Sequence, residues 1–135
     1  MSRNKSYACL DVGEKRIGVA LADGGVRIAV PFQTIDVDGT ELTVIARLIL
    51  SESVDILVIG YPRNQSGEPT AQTQFVIEFV AQLHDLDVTI VYQDESLTSV
   101  MAEQRLISYR KPYTKGDIDA QAAAIILQDY LEQHS

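Results

Sequence analysis

The sequence predicts an α/β fold in which a mixed five-stranded sheet carries helices on its faces. Three strand-like segments come first, close enough together to form an antiparallel meander. Helix-like and strand-like segments then alternate, which favours parallel strands joined by right-handed crossovers. We therefore expect one domain over residues 1–135 with a mixed five-stranded sheet.

Short apolar runs rich in small or β-branched residues predict the strands. The first two strands are separated only by a glycine-containing turn. Pro31 in the third strand indicates an edge position, because proline donates no hydrogen bond to a neighbouring strand. The fourth strand has the apolar sequence DILVIG, which is typical of a buried parallel strand. The predicted strands cover residues 7–12, 16–23, 28–33, 55–60 and 87–93.

Apolar residues at helical spacing predict the helices. Asp38 and Glu41 form a pair that resembles a capping box, so the first helix is expected to begin there. Asp117 is expected to be the N-cap of the last helix. The predicted helices cover residues 38–53, 70–84, 96–108 and 117–134.

Composition favours a packed protein of the cytoplasm. Hydrophobic residues make up 46% of the chain, which is enough for a core. The single cysteine, Cys9, cannot form an internal disulfide and is expected in the core. No segment approaches the roughly 20 apolar residues of a membrane-spanning helix, and the polar start lacks a signal peptide. We expect no membrane association.

Three acidic residues are candidates for a metal site. Asp11 ends the first strand, Glu95 follows the last strand, and Asp119 lies in the first turn of the last helix. Sites in open α/β sheets lie beyond the carboxyl ends of strands, so these side chains are expected to converge. Two divalent ions held by carboxylates would activate water and stabilise the leaving group of a phosphodiester. Asp119 is equally compatible with a purely structural role, since first-turn acids stabilise helices.

Polar and basic residues near these acids are candidates for substrate contacts. Each of them is equally compatible with being an ordinary exposed surface residue. The net charge of −8 argues against a general affinity for nucleic acid. Two bound divalent ions would change the local charge of three carboxylates from −3 to about +1, so metal is expected to precede substrate. In the loop at 108–116, Tyr109 or Tyr113 is a candidate for stacking on an unpaired base. The candidate substrate-binding residues are Lys15, Arg16, Arg63, Asn64, Arg110, Lys111 and Lys115.

Four blocks of sequence, in order, resemble the YqgF/RuvX family of candidate pre-16S ribosomal RNA nucleases, also described as Holliday-junction-resolvase-like. The resemblance implies a ribonuclease H-like fold with its strands in the order 3-2-1-4-5. It also implies a catalytic, metal-binding set formed by Asp11, Glu95 and Asp119. It also implies a hydrolase that uses Mg²⁺ or Mn²⁺ to mature the 5′ end of 16S ribosomal RNA. Val12 and Ser96 depart from the proline and arginine of many members. The blocks are LDVGEKRIGVALAD at 10–23, IGYPRNQSG at 59–67, DESLTS at 94–99 and IDAQAAAIILQDYL at 118–131.

Three other functions remain open at this point. A nuclease for branched DNA, such as a four-way junction, would normally act as a dimer, and this chain is expected to be a monomer or a homodimer. A nucleotide-binding module of the actin or sugar-kinase type would need a second domain to close its cleft. The acidic charge favours a third function, a nucleic-acid-binding protein without catalysis.

Overall fold

The computed structural model describes residues 4–62, 68–95 and 98–134. A mixed five-stranded sheet in the order β3-β2-β1-β4-β5 lies at its centre, as predicted. None of the helices in the described residues is both long enough and apolar enough to cross a bilayer. The strands are β1 (Ser6–Val12), β2 (Arg16–Asp23), β3 (Val30–Asp36), β4 (Ile56–Pro62) and β5 (Thr89–Glu95), and the helices are α1 (Glu41–Ser51), α2 (Ala71–Ala81), α3 (Thr98–Ser108) and α4 (Lys115–Gln133).

The strand directions match the prediction. The first three strands form an antiparallel meander, and β1, β4 and β5 run parallel to one another. Pro31 lies in β3, which is an edge strand, and the β2–β3 pairing shifts register between Val19 and Ala20. The sheet therefore changes from antiparallel to parallel at β1, its central strand.

Side chains of β1 alternate between the two faces of the sheet, and each face has its own core. Leu10 belongs to the core that includes α1 and α2, whereas Cys9 is fully buried against α4. Cys9 is therefore a core residue, as predicted. Since side chains two residues apart in a strand share a face, Asp11 lies on the α4 face of the sheet. This alternation directs the candidate site towards α4.

Two element boundaries near the candidate site differ from the predictions. Strand β5 ends at Glu95, so this residue belongs to the strand and does not follow it. Helix α4 begins at Lys115 with Thr114 as its N-cap, and Asp117 is the third residue of a capping box with Thr114. The prediction that Asp117 is the N-cap was wrong, because Thr114 supplies the capping hydroxyl one turn earlier. Asp119 consequently lies in the second turn of α4.

The predicted start of α1 was also wrong. Thr40 occupies the N-cap position, and its side chain makes no capping hydrogen bond. Asp38 instead accepts hydrogen bonds from the Thr40 backbone N–H at 2.9 Å and from the Thr40 hydroxyl at 2.6 Å. The Asp38 side chain is used in this local turn, and the helix begins at Glu41.

Candidate active site

Asp11 lies at the carboxyl end of β1, between strands of opposite direction. It pairs with Gly18 of β2, and its side chain is partly buried on the α4 face. Burial and the nearby charge of Asp119 raise the pKa of Asp11 to about 6, although a hydrogen bond from Glu95 acts in the opposite direction. Asp11 is therefore close to both of the other predicted acids.

Glu95 lies at the end of β5, two strands away from Asp11. Its carboxyl group covers Gly60 of β4, where a Cβ atom would lie 2.5 Å from Glu95 Oε2. Burial, the charge of Asp11 and a hydrogen bond to Asp11 raise the pKa of Glu95 to about 8. At neutral pH a protonated Glu95 thus donates a hydrogen bond to the Asp11 carboxylate. Glu95 Oε2 is buried and has no hydrogen-bond partner among the described residues.

Asp119 reaches this region because α4 packs unusually close to β2. A Cβ atom on Gly18 would clash with the backbone carbonyl of Asp119 and lie 2.9 Å from the nitrogen of Ala120. Because Gly18 is the partner of Asp11 in the sheet, this close approach places Asp119 beside Asp11. The Asp119 carboxylate accepts a hydrogen bond from Arg16 Nε at 2.7 Å. We refer to Asp11, Glu95 and Asp119 as the acidic cluster.

The acidic cluster has the ligand types of a metal site, but its side chains are not positioned as they would be around a bound ion. Across residues 4–62, 68–95 and 98–134, no three His, Cys, Asp or Glu side chains are placed to hold one ion. Asp119 is paired with Arg16, and Asp11 and Glu95 share a proton. The unpartnered Glu95 Oε2 is nevertheless an acceptor that a hard cation would satisfy, and all candidate ligands are carboxylate oxygens. The donor set therefore fits a divalent cation.

Basic residues lie on two sides of the acidic cluster. Arg16 contacts it directly, while Lys15 is exposed in the turn between β1 and β2. Lys115 is exposed four residues before Asp119, so both side chains lie on the same side of α4. Arg110 and Lys111 are exposed in the loop between α3 and α4. The predicted residues Arg63 and Asn64 lie outside the described residues.

The two predicted stacking tyrosines differ in their surroundings. The Tyr113 hydroxyl donates a hydrogen bond to Glu103 at 2.8 Å, which holds the ring against α3. Tyr109 is exposed after the end of α3. The roles of Gly18 and Gly60 in shaping the site were not predicted from the sequence. The signal that was available is a glycine inside an apolar strand, which often marks a close approach of another chain segment.

Comparisons with known sequences agree with the resemblance noted in the sequence. The profile of the RuvX family, described as Holliday junction resolvase, matches residues 5–133. A Chloroflexus aurantiacus protein, named as a candidate pre-16S rRNA nuclease, is 42% identical over 128 residues, which cover 91% of this chain and 84% of that protein. A Synechocystis protein with the same name is 39% identical over 137 residues, covering 98% of this chain and 90% of that protein.

Solved structures with a similar fold are much more distant in sequence. Thermus thermophilus RuvC in complex with a Holliday junction has a TM-score of 0.59 and 12% identity, covering 96% of this chain and 95% of that chain. The fowlpox virus resolvase bound to Holliday junction DNA has a TM-score of 0.58 and 13% identity, covering 96% and 98%. At these identities the likeness establishes a shared ribonuclease H-like fold.

Proposed function

The chain belongs to the RuvX family of nucleases and is a hydrolase of phosphodiester bonds, and we propose that it is a metal-dependent endonuclease that trims the 5′ end of pre-16S ribosomal RNA. The names of the relatives from Chloroflexus and Synechocystis support the RNA substrate. The observation that carries the proposed metal dependence is the partly buried Asp11–Glu95 pair with its buried, unpartnered Glu95 oxygen. We place this activity in the cytoplasm.

Asp11 and Glu95 are the proposed metal ligands with the strongest support, since both lie at the carboxyl ends of parallel strands of one sheet and share a hydrogen bond. Asp119 would join them after exchanging Arg16 for the cation. Mg²⁺ or Mn²⁺, as two ions in the proposed active form, would activate the attacking water and stabilise the leaving oxygen. Loading requires Glu95 to release its proton, because a metal-bound carboxylate is deprotonated.

The chain's own residues would orient the substrate. Arg16, once released from Asp119, presents a guanidinium that can hold a phosphate with paired hydrogen bonds. Lys15 and Lys115 add positive charge on two sides of the acidic cluster, and Arg110 and Lys111 extend that charge along the loop before α4. Arg63 and Asn64 stay candidates for the same role from their position in the sequence.

A nuclease for branched DNA is the second candidate, since the family description is Holliday junction resolvase. The two substrates require different assemblies. A four-way junction has symmetric cleavage positions and suits a homodimer, whereas a single cut in a precursor RNA suits a monomer. Sedimentation of the purified protein with each substrate distinguishes these assemblies.

The proposed function is tested by cleavage of a pre-16S RNA fragment and of a four-way DNA junction, each with Mg²⁺, with Mn²⁺ and with a chelator. We expect metal-dependent cleavage of the RNA and a loss of about a hundredfold or more in the Asp11→Asn variant. Asp119→Asn tests the third member of the acidic cluster. Asp117→Asn is its matched control, because it removes the same charge from the same helix but lies in the capping box. Equal cleavage by the wild type and Asp11→Asn would exclude the proposed role of Asp11.

A further inference from the structure

A cleft of about 750 Å³ lies along the outer edge of β5, the strand that ends at Glu95. Because β5 is the last strand of the sheet, the cleft extends around it and has walls from both faces. Tyr61, Tyr92 and Ile77 line it on the α2 face, and Gln133 lines it from α4. We call this feature the edge cleft. None of the predicted substrate-binding residues in the described part of the chain lines it.

Two aromatic rings form the most distinctive part of the edge cleft. Tyr61 and Tyr92 lie on adjacent strands, with ring centroids 5.3 Å apart and planes inclined at 71°. This edge-to-face arrangement fixes the orientation of both rings. Tyr92 remains 43% exposed, so it offers aromatic surface to a ligand in the cleft. Ile77 and Met101, which are also exposed, add apolar surface to the walls.

The edge cleft reaches the α4 face of the sheet at Gln93, two residues before Glu95 on β5. Tyr61 pairs with Asp94, and the next pair joins Pro62 to Glu95. Tyr92 and Glu95 are three residues apart on β5, which corresponds to about 10 Å along an extended strand. Because their spacing is an odd number of residues, Tyr92 and Glu95 project from opposite faces of the sheet. A nucleic-acid strand with one phosphate at the acidic cluster can reach Tyr92 by passing around the exposed edge of β5, along which the cleft extends.

The charge of the edge cleft selects a base over a phosphate. The described residues that line it include Asp94 and Asp129 but no lysine or arginine. A phosphate would be repelled by these carboxylates, whereas the exocyclic amino groups of bases donate hydrogen bonds to such acceptors. With a net charge of −8, the protein gains little affinity from phosphates alone. Stacking supplies affinity that does not depend on net charge.

We propose that the edge cleft binds an unpaired base of the RNA substrate, stacked on Tyr92, next to the strand that carries Glu95. This inference rests on the RNA substrate proposed above and extends it to a second contact region. It assigns to single-stranded RNA a surface that no lysine or arginine of the described residues lines. A base at this position would help to fix which phosphate lies at the acidic cluster.

Binding of a short single-stranded RNA that contains a fluorescent base analogue tests this site, with the Asp11→Asn protein and Mg²⁺ used to prevent cleavage. We expect Tyr92→Leu to weaken binding about tenfold or more and to abolish the change in analogue fluorescence. Tyr92→Phe keeps the aromatic ring and should restore most of the affinity. Phe32→Leu is the matched control, because Phe32 is 45% exposed on the opposite edge strand β3.

Salt dependence and an abasic substrate separate stacking from charge. The effect of Tyr92→Leu should be similar at low and high salt, whereas that of Lys115→Gln should shrink as salt rises. An RNA that lacks the base at the stacked position should bind the protein that retains Tyr92 as weakly as the complete RNA binds Tyr92→Leu. Combining the abasic RNA with Tyr92→Leu should cause little further loss of affinity.

The proposed site is overturned if Tyr92→Leu and the abasic RNA both bind with unchanged affinity, or if an apolar peptide occupies the cleft without competing with RNA. Its failure is distinguishable from failure of the nuclease. Cleavage by the wild type with an unchanged KM in Tyr92→Leu would exclude the base site and leave the nuclease intact. Binding with the Tyr92 signature but without cleavage under any metal would exclude the nuclease and leave the base site intact.

Discussion

Arg16 Nε donates a hydrogen bond to Asp119 Oδ2 at 2.7 Å and so joins β2 to α4 across 103 residues of sequence. Both side chains are partly buried, and the pair lies beside Asp11. In this arrangement the guanidinium provides the positive charge that a metal ion would otherwise provide for Asp119. Binding of a metal to Asp119 therefore competes with this ion pair.

We expect Arg16→Gln to destabilise the metal-free protein, because it leaves the Asp119 carboxylate without its partner next to other acids. Saturating Mn²⁺ should then raise the melting temperature of Arg16→Gln by more than it raises that of the wild type. Lys15→Gln removes the same charge one residue earlier in the chain and serves as the control. Equal Mn²⁺-induced shifts in the wild type and Arg16→Gln would show that Asp119 does not exchange Arg16 for metal.

Substitution of Gly18 by alanine tests how closely α4 must pack on β2. The new methyl group would clash with the Asp119 backbone, and backbone atoms cannot move without shifting the helix. We expect a loss of about 1–3 kcal/mol in the free energy of unfolding, measured with denaturant. Gly116→Ala is the matched control, since its Cβ would lie 3.5 Å from the nearest atoms of Thr34. That variant should be neutral or slightly stabilised, and comparable losses in both would contradict the prediction.

Substitution of Gly60 by alanine should separate activity from stability. Its Cβ would lie 2.5 Å from Glu95 Oε2 and 2.9 Å from Ile126 Cδ1, and both atoms are ends of side chains that can move. We expect a modest loss of stability and a larger loss of kcat, because the carboxyl group of Glu95 is displaced from the acidic cluster. Melting temperature and single-turnover cleavage measure the two effects. Unchanged kcat in a folded Gly60→Ala protein would exclude a need for the observed Glu95 position.

The stability of the metal-free protein should fall as pH rises. Asp11 and Glu95 have ordinary pKa values of 3.8 and 4.5, and the fold raises them to about 6 and about 8. The folded state therefore holds protons that the unfolded chain has released. Their favourable contribution is complete below about pH 4 and is lost as pH rises through 6 and then 8.

Glu95→Gln provides the control for this pH dependence, because glutamine resembles the protonated acid but cannot ionise. We expect urea unfolding of the metal-free wild type to show decreasing stability from pH 5 to pH 8, and Glu95→Gln to be the more stable protein at pH 8. A wild-type stability that increases over this range would show that the two carboxyl groups are not held protonated. Mg²⁺ should reduce the difference at pH 8, since it replaces the proton.

Patterns of local sequence and the family resemblance together predicted the fold. The apolar runs predicted the strands, the resemblance predicted their order, and Pro31 indicated an edge strand. Helix starts were less predictable where several capping side chains compete: Asp38 bonds Thr40 in a turn, and Thr114 caps α4 ahead of Asp117. Such competition depends on backbone angles that composition does not specify.

The site was only partly predictable, because its decisive contacts are long-range. The position of Asp11 at a strand end could be recognised from alternation and from the family resemblance. The Arg16–Asp119 ion pair joins segments about a hundred residues apart, and so does the close approach of the Asp119 backbone to Gly18. Tyr92 was not singled out, because only the register of β5 beside β4 places it next to Tyr61.

The docking of α4 against Gly18 has a consequence for when the protein becomes active. β1 and β2 are synthesised first, and domains begin to fold from their N-terminal segments as these segments leave the ribosome. Asp119 and the helix that carries it emerge after every strand of the sheet. A partly synthesised chain therefore carries an incomplete acidic cluster while it is still attached to a ribosome, the particle whose RNA it is proposed to cut.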